Sequence, residues 1–133
     1  MIWGETIFLR NIIKGEKRLV VSEGVIALID DAIFAPKIDG VVKIKTIVTQ
    51  TSTNYIGDYE LSIYENEVLI KKVLGETFSK GESVELSADI SVSNRAEYTA
   101  TIKRTGGGAS YSNTPISVCG QVTDANYFDV VKR

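Results

Sequence analysis

The chain has 133 residues, 44% hydrophobic and 24% charged, which suits one globular domain and leaves no room for two. It has no histidine and a single cysteine, Cys119, which excludes a Ser–His–Asp triad, a His- or thiolate-based metal site and an internal disulfide. Lys and Arg number 15 against 17 Asp and Glu, a net charge of −2 with the signs interspersed, so the basic field that nucleic acid requires is missing.

The first 13 residues crowd Trp3, Ile7, Phe8, Leu9, Ile12 and Ile13 into a segment of mixed periodicity. Two expectations follow: an edge strand of the domain, or an arm that packs on a neighbouring subunit with Trp3, Ile7, Phe8, Leu9 and Ile12 as its interface. Glu5 and Arg10 interrupt this segment and no basic stretch precedes it, so it does not read as a signal peptide. No stretch approaches the ~18 apolar residues of a membrane-spanning helix. The expectation is synthesis in the cytoplasm, with virion association as an extension and no membrane partner. Lys14-Gly15-Glu16-Lys17-Arg18 reads as a solvated turn.

Residues 19–22 and 25–29 are short apolar runs split by Glu23-Gly24, and Asp39-Gly40 signals a turn. From 41 to 51, Val42, Ile44, Thr46 and Val48 form one face of a strand; Lys43, Lys45, Ile47 and Thr49 form the other. Residues 51–57 lead, as a hairpin-like connection, into a strand over 58–64 with Tyr59, Leu61 and Ile63 inward. After the polar break Glu65-Asn66-Glu67, residues 68–74 form its hairpin partner. Residues 75–81 connect onward, with Phe78 tucked beneath. The clearest alternation spans 83–92: Val84, Leu86, Ala88, Ile90 and Val92 face inward. A turn at 93–96 and a strand over 97–105, with Tyr98, Ala100 and Ile102 inward, are expected to complete another hairpin. Ile116, Val118, Gly120 and Val122 mark a last strand, and residues 124–131 end in a turn or a short strand.

Turn signals recurring every ~8–12 residues predict an all-β fold. The expected architecture is an antiparallel, jelly-roll-like β-sandwich of about eight strands with little or no helix, one domain over residues 1–133.

Candidate chemistry is sparse. Carboxylates occur near one another at Asp30-Asp31, Asp58 and Glu60, Glu65 and Glu67, and Asp124 and Asp129. These are turn or solvent-facing positions, so a glycosidase working with carboxylates alone is a remote alternative. No D-x-D-x-D-G loop is present, and neither a metal nor a cofactor is assigned. No residue is assigned as catalytic. The Gly-rich stretch 105–115 is not a P-loop, since no Lys-Ser or Lys-Thr follows its glycines. It reads as a flexible tip or an adaptable binding loop. A loop tyrosine can stack on a sugar face while its hydroxyl hydrogen-bonds, so Tyr55 and Tyr111, with Gly106, Gly107, Gly108 and Asn113, form the candidate ligand-binding set. Tyr59 and Tyr98 are read as core.

Two segments, GESVELSADISVSNRAEYTATIKRTGGG (81–108) and LRNIIKGEKRLVVSEG (9–24), resemble small jelly-roll-like β-sandwiches of bacteriophage virion accessory and tail proteins. They also resemble carbohydrate-binding modules, but the chain's one tryptophan, Trp3, is not placed to form a sugar platform. The resemblance implies a non-enzymatic structural or assembly protein whose partners are copies of itself or other virion proteins. The alternative is a binding module for glycan or protein that uses the loop tyrosines.

Overall fold

The structure, a computed structural model, describes residues 21–22, 25–28, 32–53, 55–124 and 126–132. Among the described residues there are eleven strands: β1 (Val21–Ser22), β2 (Val25–Leu28), β3 (Ala32–Pro36), β4 (Gly40–Gln50), β5 (Gly57–Glu65), β6 (Val68–Thr77), β7 (Ser83–Val92), β8 (Tyr98–Gly107), β9 (Tyr111–Asn113), β10 (Ile116–Cys119) and β11 (Phe128–Lys132). A single 3-10 turn, Gln121–Thr123, is the one helical feature among them. No helix there is long and apolar enough to cross a membrane.

The strands form two antiparallel sheets packed face to face. One runs β1-β2-β10-β4-β7, with β9 also on β4; the other runs β11-β3-β8-β5-β6. Within them, β2-β10-β4-β7 faces β3-β8-β5-β6, the strand order of a two-Greek-key jelly roll. The alternation read from the sequence selects the inner faces. Val42, Ile44, Thr46 and Val48 of β4, Tyr59, Leu61 and Ile63 of β5, and Leu86, Ile90 and Val92 of β7 are all buried. Phe34 anchors an aromatic cluster of the second sheet, its ring 6.4 Å from that of Tyr98 and 5.9 Å from that of Phe128. Burying side chains of this size is worth roughly 1.5–3 kcal/mol each, which is what drives the two sheets together.

Several sequence expectations are corrected. The expected hairpin of 83–92 with 97–105 does not exist: β7 pairs with β4 and β8 with β5, so residues 93–97 cross between sheets. The connection from β4 to β5 likewise crosses. The hairpin of β5 with β6 is present, closed by Asn66 and Glu67 at φ 49° and 70°, the positive pair a tight two-residue turn requires. Its turn is tied to the next sheet neighbour, where the Glu97 amide donates to the Asn66 side-chain oxygen at 2.9 Å. Ala32–Pro36 is a strand that the alternation did not reveal. The last predicted strand stops at Cys119, and Gly120 and Val122 belong to a turn. Phe78 is exposed rather than tucked under its connection. Trp3, Ile7, Phe8, Leu9 and Ile12 lie outside the described residues.

Candidate functional site

One end of the sandwich is built around Gln50, the last residue of β4, which is almost wholly buried. Its Nε2 donates to the carbonyls of Ser52 at 2.8 Å and Tyr55 at 2.9 Å, which shapes the loop 51–56. Its Oε1 accepts from the Thr77 hydroxyl at 2.6 Å. With that proton committed, the Tyr59 hydroxyl 2.7 Å away is the donor to Thr77 Oγ1. A buried Tyr59–Thr77–Gln50 relay thus joins β5, β6 and β4.

The Gly-rich stretch is a packed element of this end. Gly106 and Gly107 lie within β8, opposite Asp58 and Gly57. Gly107 has φ 74°, and a Cβ there would come within 2.1 Å of the Ile56 carbonyl oxygen. That oxygen accepts from the Gly108 and Ala109 amides at 3.0 and 3.1 Å, and Arg104 Nη1 donates to the Ala109 carbonyl at 2.7 Å. The Thr51 amide donates to the Ser110 carbonyl, and the Ser110 amide to Ser52 Oγ at 2.8 Å. Only Gly108 follows the strand, and the Tyr55 ring lies against it.

The candidate ligand set is therefore only partly assembled. Tyr55 and Gly106, Gly107 and Gly108 come together, with the Tyr55 ring largely exposed. Tyr111 turns inward: it pairs with Gln50, and its ring meets that of Tyr59 edge-on at 5.2 Å. Asn113 lies at the far end of β9, with its side-chain amide donated to the Thr114 carbonyl at 2.8 Å. The two tyrosines do not share a rim.

A second feature, not singled out from the sequence, runs along β6, the outermost strand of its sheet among the described residues. Its register places Lys72, Leu74 and Glu76 on the solvent face, opposite Ser62, Glu60 and Asp58. Val68, Leu69 and Ile70 are exposed at one end of the strand, with Leu74 and Phe78 toward the other. The register shifts beside Ile70, so a bulge interrupts the ladder there. Leu74, Gly75, Glu76 and Phe78 border an open depression of about 560 Å³ with Asp58, Tyr59 and Thr105. Next to it, the Glu60 carboxyl titrates below the ordinary carboxylate range. The Ser62 hydroxyl donating to it at 2.6 Å is the main cause, with Lys72 and Lys103 adding positive potential. The signal in the sequence was the unbroken apolar run Val68-Leu69-Ile70 followed by two lysines, which does not alternate.

Among the described residues, no group of three or more Cys, Asp and Glu side chains is placed to hold a metal ion. No family model, curated protein or solved structure matches the chain.

Proposed function

We propose that this protein is a non-catalytic assembly module, a jelly-roll sandwich incorporated into a larger particle by self-association through its β6 edge. The role is that of the virion accessory and tail proteins its sequence resembles. The observation that carries this reading is the apolar character of an exposed edge strand. Val68, Leu69, Ile70, Leu74 and Phe78 are 65%, 42%, 40%, 71% and 57% exposed. An edge strand offers unpaired N–H and C=O groups, and proteins that stay monomeric keep such edges short, charged or covered. Here the edge strand is 10 residues long and, beside Lys71, Lys72, Glu76 and the bulge, leaves Val68, Leu69, Ile70 and Leu74 exposed. Backbone groups and apolar side chains together are what strand addition needs. Jelly rolls serve in capsids and lectins alike, so the fold supports this role by analogy and the edge supports it by chemistry. Sedimentation velocity over a concentration series tests the reading: mass rising above that of one chain supports it, and a strictly monomeric chain at every concentration overturns it.

A second reading, glycan binding, is favoured by Tyr55, which lies against Gly108 and is largely exposed. A broad glycan array is the test. Binding that Tyr55→Ala abolishes supports it, and an array without signal removes it.

A further inference from the structure

We propose that two copies of the chain join β6 to β6, antiparallel, about a twofold axis at Leu74. This rests on the docking role given to the β6 edge above and adds the partner and the register. A twofold interface is isologous, so every contact occurs twice and a modest strand can form a complete interface.

The faces limit the choice of axis. For the solvent faces of both copies to lie on the same side, and both cores to stay covered, odd residues must oppose odd and even oppose even. The axis then passes through a residue. Placed at Lys72, it sets that lysine against the partner's Lys72. Placed at Val73, it sets Glu76 against the partner's Ile70. Placed at Leu74, it sets Lys72 against the partner's Glu76 twice, and Leu74 against the partner's Leu74. It also brings Ile70, at the bulge, to the partner's Phe78 beyond the strand end.

Charge agrees with this register. Glu76 stands directly opposite Asp58 in the ladder, a like-charged cross-strand pair that costs stability. The partner's Lys72 arrives beside those two carboxylates, whereas among the described residues of one chain Lys72 reaches Glu60, at 4.0 Å. On the inner face the opposed residues are Val73 and the partner's Gly75, whose missing side chain leaves its place to Leu86 and Val84 of its own chain. The partner's Ile70 approaches the depression bordered by Leu74 and Phe78.

The test uses full-length chains carrying Cys119→Ser, which removes the exposed free thiol. Leu74→Cys is compared under mild oxidation with Thr101→Cys, which lies on β8 of the same sheet, away from the axis. Directly opposed Cβ atoms in an antiparallel pair lie about 4.5–5.5 Å apart, so Leu74→Cys is expected to give a disulfide-linked dimer and Thr101→Cys none. In parallel, Lys72→Glu and Glu76→Lys are each expected to weaken dimerisation at least about tenfold, and the double exchange to restore it. If the parent chain self-associates but Leu74→Cys links no faster than Thr101→Cys, or the double exchange restores nothing, the register is wrong while the docking role stands. A parent chain that is monomeric throughout overturns both.

Discussion

The hydroxyls of Tyr59 and Thr77 meet 2.7 Å apart inside the sandwich, and Thr77 in turn donates to Gln50 at 2.6 Å. Thr77→Val keeps the shape and removes the link, leaving the Tyr59 hydroxyl and Gln50 Oε1 without their partner. An unsatisfied buried polar group costs about 1–3 kcal/mol, so this variant is expected to lose stability in that range. In urea unfolding the midpoint should fall while the slope stays unchanged.

Gly107 and Gly81 both have positive φ, 74° and 88°, but their surroundings differ. A Cβ at Gly81 meets nothing within 4 Å, whereas one at Gly107 runs into the Ile56 carbonyl. Gly81→Ala is expected to cost only the backbone strain, about 1–2 kcal/mol. Gly107→Ala is expected to cost distinctly more, because backbone must move and the Ile56 oxygen accepts two amides. Equal losses in side-by-side denaturation would contradict the packed reading of the Gly-rich stretch.

Burial raises the Tyr98 hydroxyl above its ordinary value of 10.0, and its hydrogen bond to the Glu65 carboxylate adds to the shift. The neutral phenol is therefore favoured in the folded state. Its contribution is complete below about pH 10 and is lost as pH rises through the folded value, since the unfolded chain releases that proton first. Tyr98→Phe should flatten the alkaline limb of the stability–pH curve. It should also cost some stability at neutral pH, because the Ser93 amide donates to the same oxygen at 2.7 Å.

The sequence made the strand faces legible because burial follows an alternation that each strand carries within itself. It could not show which strands pair. The turn at 93–96 reverses the chain equally well for a hairpin or for a crossing between sheets, and here it crosses. Ala32–Pro36 was invisible because four of its five residues are buried, leaving no polar face to mark it. Tyr111 looked like a loop residue, yet its place opposite the buried Gln50 turns it inward. The apolar run of β6 read only as a hairpin partner, because a strand's composition does not say whether it has a neighbour on both sides. Of the candidate site, Tyr55 and the glycines did come together; the edge strand emerged only from the sheet order.

The most direct test of the proposed role is sedimentation velocity on the full chain and on Leu74→Arg, each over the same concentration series. Leu74 is 71% exposed, so the substitution should leave the fold of the single chain intact. The account predicts a concentration-dependent dimer for the parent chain and a monomer for the variant. A parent chain that never dimerises, or a dimer that Leu74→Arg leaves intact, would contradict it.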